Sequence, residues 1–387
     1  MRILLVTETY LPFISGVSTS SHSIAAFMHE RGHRVTLVCP HPVIRNKLPT
    51  PGFAVRYAPS IPDPVYHGKP FTPFPAGLFP LWREVNPESV DIIHIQEPGS
   101  LGISALTLAL TRRIQAVGAL HFTPDQVTRM MPGNPEKLFT PVIRAYQRAF
   151  YNRCSGVMIP TRTFADYLRT IGVSKPLAVV SNGVDTSYYH QPDAKEKKLA
   201  SSDKPAGAVE FFYLGRLDKD KNVAALVRSL PFTTASVRLL IAGSGKQQPG
   251  LRQLADELGV GDRISWFGSI DQEQIIRLYH RADAFILLAL YEIQSIVTLQ
   301  ALACGLPVIL ADSGALPELV RDGENGFLVR PFDYHGIAER MNRIAGETRL
   351  RGGFGKLSRK MSLAHHKPTV LKKLEKFYSD LIGSKTA

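Results

Sequence analysis

The chain has 387 residues, with 46 Lys and Arg against 33 Asp and Glu, a formal net charge of +13 and 44% hydrophobic residues. That composition excludes a disordered chain, a collagen-like repeat and a small disulfide scaffold, and at about 150 residues per domain the length predicts two or three domains. The positive balance calls for an anionic partner: nucleic acid, a membrane surface or a phosphate-bearing substrate.

Along the chain, Arg2–Val6 reads as a buried strand and Ser18–Arg31 as the amphipathic helix behind it. Only four apolar residues precede Thr7 and Glu8, so no secretory signal is expected. Arg34–Cys39 and Phe53–Ala58 read as strands, whereas proline-rich Pro40–Pro80 holds no helical period and is expected to be a loop-rich insertion. Asp91–Ile95, Ala116–His121 and Val157–Pro160 complete the strands of the first half. A boundary is expected near Ser174, in the run Gly172-Val173-Ser174-Lys175-Pro176, giving domains over 1–174 and 175–367. The strand Ala178–Ser181 then opens the second half, and Gln191–Gly207 reads as a surface loop.

Further on, strands are expected at Val209–Leu214, Val237–Ala242, Arg263–Phe267, Ala284–Leu288, Pro307–Leu310 and Phe327–Val329. Helices fall between them at Lys221–Leu230, Gly250–Leu258, Gln272–Arg281 and Ser295–Cys304, and Pro368–Ile382 closes the chain as an amphipathic helix. Strands alternating with helices imply parallel sheets covered on both faces. About thirteen strands exceed one compact sheet, so the architecture is read as α/β with two doubly wound, Rossmann-like domains. No apolar run approaches the roughly 18 residues that span a bilayer. Cys39, Cys154 and Cys304 show no CxxC spacing and read as reduced thiols of a cytoplasmic protein, neither a disulfide set nor a zinc site.

Ligands of such sheets gather at the carboxyl ends of the strands. After the first strand, Gly16 either brings its amide to a phosphate or acceptor or only makes the turn. Gly243-Ser244-Gly245-Lys246 lacks the spacing of a phosphate loop and reads as a strand-end turn. Arg216 and Lys221, at a strand end and a helix start, can clamp a diphosphate, or belong to a solvated loop. Asp218 and Asp220 form a DxD, but with cations on both sides we expect no metal there. In the segment Ala284–Val329 a strand is expected to end at Glu292 and a helix to follow. Glu292 and Gln300 are eight residues apart, which along a helix is about 12 Å.

These motifs resemble those of retaining GT-B glycosyltransferases of the family-4 type. That family carries E-x7-E followed by A-x-x-x-G-x-P-V and a glycine loop. The matching positions are Glu292, Gln300, Ala301, Gly305, Pro307 and Val308, then Gly314, Pro317, Glu318, Gly323 and Gly326. Asn182-Gly183-Val184-Asp185, Gly215-Arg216-x4-Lys221, the run from Asp91 to Pro98 and His121 also match. Two positions depart: Gln300 replaces the second glutamate, and Ala289 stands where serine is usual.

The resemblance implies two domains facing across a cleft, with residues 368–387 completing the first. It places Glu292 on donor sugar hydroxyls, Gln294, Ser295 and Ile296 at the diphosphate, and Gln300 at the ribose. Arg216 and Lys221 would neutralise the diphosphate so that no metal or other cofactor is required, His121 would lie near the reacting sugar, Gly16 near the donor phosphate or the acceptor, and the stretch around Ser265–Gly268 near the base. The donor is a nucleotide-sugar, expected to be a UDP-sugar, with a GDP-sugar as the alternative; a donor-binding but silent homologue is a further alternative. The closest flavour is that of glycolipid synthases, which implies a lipid or saccharide acceptor.

Between Thr111 and Lys175 there are ten Lys and Arg against three Asp and Glu. Arg129-Met130-Met131, Arg144, Arg148, Phe150, Tyr151 and Arg153 interleave charge with apolar groups, which suits an anionic membrane surface or an ordinary solvated face. We therefore expect a cytoplasmic protein, peripheral on the inner face of the cell membrane. No nucleic-acid partner is expected, because no reader module is present.

Overall fold

The computed structural model describes residues 1–13, 15–42, 51–63, 70–84, 89–124, 128 and 136–384. It divides into two compact units, Met1–Asn182 with Pro368–Ala387, and Gly183–Lys367.

The first unit begins with β1 (Arg2–Val6), whose Ile3, Leu4, Leu5 and Val6 are buried. Helix α1 (Gly16–Glu30) follows, opened by a capping box between Ser15 and Ser18. Next come β2 (Arg34–Pro40), β3 (Ala54–Ala58), the short antiparallel pair β4 (Ile61–Pro62) and β5 (Pro70–Phe71), and α2 (Leu78–Glu84). Then β6 (Ile92–Ile95), α3 (Ser100–Thr111), β7 (Gln115–Ala119), α4 (Glu136–Tyr151), β8 (Gly156–Ile159), α5 (Arg162–Thr170) and β9 (Leu177–Val179) alternate. Seven strands form one parallel sheet in the order β3-β2-β1-β6-β7-β8-β9. The order reverses at β1 and β6, so their carboxyl ends form the switch point where such sheets bind ligands.

The expected boundary at Ser174 falls inside this unit. Strand β9, expected to open the second domain, instead pairs in parallel with β8, and the Val180 amide continues to the Ile159 carbonyl at 2.8 Å. A strand hydrogen-bonded to the first sheet belongs to it, so the glycine- and proline-marked turn before it is a helix-to-strand connection.

The second unit contains α6 (Ala194–Ala200), β10 (Val209–Leu214), α7 (Val223–Ser229), β11 (Val237–Ala242), α8 (Gln248–Glu257), β12 (Ile264–Gly268), α9 (Gln272–Arg281) and β13 (Ala284–Leu287). It continues through α10 (Ile296–Ala303), β14 (Val308–Ala311), β15 (Gly326–Val329), α11 (Tyr334–Gly346) and α12 (Thr348–Leu363). Six strands lie parallel in the order β12-β11-β10-β13-β14-β15, again with a switch point, here between β10 and β13. Phe212 packs edge to face on both Tyr279 and Phe285 within its core.

Gln191–Gly207, expected as a loop, contains α6, because Asp193 and Glu196 form a reciprocal capping box at its start. Helix α13 (Lys367–Gly383) is the last element, and its Val370, Leu371, Leu374, Tyr378 and Leu381 join the core of the first unit.

Candidate active site

At the carboxyl end of β10 the chain runs through Gly215 and Arg216 to Lys221, two residues ahead of α7. Gly243, in the turn after β11, has φ +127, and a Cβ there would stand 1.9 Å from the Gly215 carbonyl oxygen. Glycine is therefore what lets the β10 and β11 loops lie against each other. Asn222 adopts the left-handed conformation at φ 53, and its side chain donates to the Pro331 carbonyl at 2.8 Å. Asparagine tolerates that backbone, and the bond fixes the residue next to Lys221.

Glu292 was expected at a strand end. Instead β13 stops at Leu287, and Glu292 lies in the loop between β13 and α10. The 12 Å helical separation from Gln300 thus does not apply, since only residues from Ile296 onward are helical. The loop is pinned from two sides: Leu290 N donates to Asp220 O at 2.8 Å, and Ala315 N to Glu292 O at 2.9 Å. Gly314 has φ +57, and a Cβ there would approach the Glu292 carbonyl oxygen to 2.6 Å.

This folding brings Lys221 and Glu292 together, Nζ to Oε1 at 2.5 Å, both side chains about 16% exposed. Arg216 is more open; it pairs with Asp218 and reaches Asp220 at 3.1 Å. The two DxD carboxylates therefore serve Arg216, and Lys221 adds a 3.7 Å contact to Asp220. Two cations and three carboxylates share one strand-end cluster.

Just beyond, Gln294 and Ser295 are buried, and Ile296 is the first helical residue of α10. Ser295 caps the helix, its Oγ accepting from the Thr298 amide at 3.2 Å. Gln300 is half-buried, and its Oε1 accepts from the Tyr279 hydroxyl at 3.1 Å. Ser265 stands apart from the cluster: it is exposed on the edge strand β12, opposite Leu240 and short of the carboxyl end.

In the first unit, Gly16 is the first residue of α1, with no described atom within 4 Å of a Cβ placed there. Its φ is not left-handed, so neither backbone nor packing demands glycine. His121 follows β7, and its Nε2 bonds the Gln96 Oε1 at 2.8 Å. Burial pushes its pKa down to about 4, so the ring is neutral at physiological pH.

Sequence reasoning missed a neighbouring carboxylate pair. Glu97 accepts from the Glu8 amide at 2.8 Å and from Thr9 Oγ1 at 3.0 Å. Glu8 in turn accepts the Leu101 and Gly102 amides at 2.6 and 3.1 Å, capping α3. The polar run Thr7-Glu8-Thr9 directly after an apolar strand was the available signal.

Residues 14–188 match the family described as Glycosyltransferase Family 4, and residues 194–361 match Glycosyl transferases group 1. This chain is a GT-B glycosyltransferase. Over 399 residues, this glycosyltransferase is 25% identical to the alpha-monoglucosyldiacylglycerol synthase of Acholeplasma laidlawii, covering 99% of this chain and 98% of that one. It is 26% identical over 344 residues to a GDP-mannose-dependent alpha-mannosyltransferase of Corynebacterium glutamicum, covering 86% and 78% of the two chains.

Among solved structures, sucrose-phosphate synthase from Thermosynechococcus elongatus superposes with a TM-score of 0.83 at 18% identity, over 99% and 100% of the two chains. HepE of Anabaena in complex with UDP gives 0.80 at 18% identity, over 98% and 100%. Both likenesses speak to the fold. No helix among the described residues is long and apolar enough to cross a membrane.

Proposed function

We propose that the enzyme transfers a hexose from a UDP-sugar to a membrane lipid such as diacylglycerol, with retention of anomeric configuration and without a divalent metal. The observation that carries the donor half is the gathering of Arg216, Lys221 and Glu292 at one strand-end cluster. On binding, Lys221 and Arg216 turn to the diphosphate, and Glu292, released from Lys221, accepts hydrogen bonds from sugar hydroxyls. The amides at Ser295 and Ile296, beside Gln294, complete the diphosphate site at the positive end of α10. Gln300 reaches the ribose, and the carboxyl end of β12 at Phe267 and Gly268, beyond Ser265, the base.

As the glycosidic bond breaks, negative charge grows on the departing phosphate oxygen, and the two cations stabilise it. The acceptor hydroxyl attacks from the same face and passes its proton to that oxygen. Neutral His121 accepts a hydrogen bond from a hydroxyl of the reacting sugar, and the open space at Gly16 admits ligand close to the backbone.

The acceptor half is supported by the near full-length likeness to the Acholeplasma synthase and by a surface of the first unit. On α4, Leu138 and Val142 are 70% and 61% exposed, one turn apart, and Arg144 and Arg148 are exposed on another side of the same helix. On α2, Phe79 and Trp82 are 77% and 60% exposed, and the Arg112 guanidinium lies 4.4 Å over the Trp82 ring. Aromatic and aliphatic side chains with arginines suit docking on anionic lipid at the inner face of the cell membrane. Arg129, Met130 and Met131 lie outside the described residues.

The test is transfer by purified protein from UDP-glucose or GDP-mannose to diacylglycerol in anionic vesicles, with the product's anomeric configuration read by NMR. An α-glycolipid from UDP-glucose, unaffected by EDTA, is expected. Product from GDP-mannose alone selects the second reading, which the Corynebacterium relative favours. Absence of turnover with both donors defeats the proposed pairing of these donors with a diacylglycerol acceptor.

A further inference from the structure

A cavity of about 340 Å³ opens in the second unit at the amino ends of β13 and β14. Ala282 and Asp283, directly before β13, line it together with Leu306 and Pro307, directly before β14. Glu292 lies beyond the carboxyl end of β13, so this cavity is no part of the candidate donor site. Its other walls come from α6, α9 and the start of α12. Its volume falls at the lower end of small-ligand sites, which span about 300–1,000 Å³.

The carboxylates around the cavity already have partners. Asp283 pairs with Lys204 and accepts the Glu210 amide at 2.8 Å. Glu210 and Asp203 both pair with Arg281, each at 2.7 Å. Glu196 accepts the Asp193 amide at 2.9 Å and lies 3.2 Å from His190, and Glu347 bonds Arg343 at 3.3 Å.

Lys197 and Arg351, which line the cavity, stand outside these pairs. Lys197 Nζ donates to the Arg281 and Ala282 carbonyls at 3.2 and 2.9 Å. Arg351 donates to the Ile344 and Ala345 carbonyls at 2.6 and 2.8 Å and to Thr348 Oγ1 at 2.9 Å. Among the described residues neither forms an ion pair. An ammonium carries three N–H donors and a guanidinium five, so each keeps donors for a further acceptor. Burial lowers the pKa of Lys197; Asp283 and Glu210 oppose that shift, and Lys204 and Arg351 add to it. Two half-buried cations that repel each other across one cavity create a field that favours an anion. Helix α12 begins at Thr348 on the same wall, and its positive end adds to that field.

We propose that this cavity binds the phosphate monoester of a sugar or other small polyol. A guanidinium and an ammonium hold phosphate oxygens through charge-assisted bonds, and a phosphate dianion matches two cations that lack counter-charges. Beyond the phosphate, Pro192, Leu306 and Pro307 supply an apolar wall, and Gln191 an amide for hydroxyls. The exposed side chains that suit lipid lie on α2 and α4 of the first unit, so the ester here is a soluble one. The proposal rests on none of the donor-site readings.

Titration calorimetry of the full chain with glucose 6-phosphate, glycerol 3-phosphate, glucose and inorganic phosphate tests it. At least one ester is expected to bind saturably, about tenfold or more tighter than inorganic phosphate, while glucose does not bind. Arg351→Gln should weaken that ester at least about tenfold. Because Arg351 also holds backbone carbonyls, Gly352→Glu is the second variant. A Cβ there has open space around it, glutamate suits a helix better than glycine, and its carboxylate adds negative charge to the cavity wall. The same loss is expected, and this variant decides the matter should Arg351→Gln fail to fold. Lys221→Met, beyond the carboxyl end of the sheet, should bind the ester within about twofold of wild type, which separates this site from the donor cluster. No saturable binding of either ester, equal affinity for inorganic phosphate, affinity unchanged in Gly352→Glu, or loss in Lys221→Met would each overturn the proposal. Binding to phosphatidate vesicles alone would overturn the soluble ligand.

Discussion

At the scale of single residues, the proposed donor site centres on Lys221 and Glu292. Their 2.5 Å bond is largely shielded, so Lys221→Met leaves a carboxylate short of its cation and should cost about 1–3 kcal/mol in urea unfolding. The same variant should weaken nucleotide-sugar binding at least about tenfold by titration calorimetry, because a partly desolvated charge-assisted contact to phosphate is lost; unchanged affinity would take Lys221 out of the diphosphate site. Gln300→Glu still accepts from Tyr279, so folding stability should hold while donor affinity rises, and a flat or weaker affinity would place the ribose elsewhere. Residue types were legible here but geometry was not. The spacing of Glu292 and Gln300 suggested one helix, whereas the loop carrying Glu292 is held by hydrogen bonds to the Asp220 carbonyl and from the Ala315 amide, both distant in sequence.

At the scale of elements, the glycine loop after β14 seats Glu292. Gly314→Ala adds a Cβ 2.6 Å from the Glu292 carbonyl oxygen at a left-handed φ, and should destabilise by about 1–3 kcal/mol and lower kcat. Parent-like turnover and melting would show that Glu292 does not depend on that seat. Another element junction is the ion pair of Arg281 on α9 with Glu210 on β10, at 2.7 Å and with Glu210 1% exposed. Arg281→Ala strands a buried carboxylate and should cost about 3–5 kcal/mol by urea unfolding. The elements themselves were largely readable, because apolar runs and 3.6-residue periodicity come from burial against a sheet. The ownership of β9 was not, since which sheet accepts an edge strand is settled by backbone bonds.

At the scale of the whole molecule, charge and protonation set the working conditions. Burial keeps His94 neutral in the fold down to about pH 3, whereas in the unfolded chain it protonates near 6.5. Its stabilising share is complete above about pH 6.5 and declines on acidification by about 1.4 kcal/mol per pH unit toward the folded value. Urea midpoints at pH 7.5 and 5.5 should show that decline, reduced in His94→Gln; an identical slope in the variant would place the acid sensitivity elsewhere. The excess of 13 positive charges predicts salt-sensitive sedimentation with anionic vesicles, and salt-indifferent binding would remove the electrostatic part of docking. The most direct test of the account is a thermal-shift panel of UDP-, GDP- and ADP-sugars on the wild type and Lys221→Met, since ligands of the native state alone raise its midpoint. We expect a UDP-sugar to raise the wild-type midpoint and to lose that effect in Lys221→Met; no shift with any nucleotide-sugar, or an equal shift in the variant, would contradict the account.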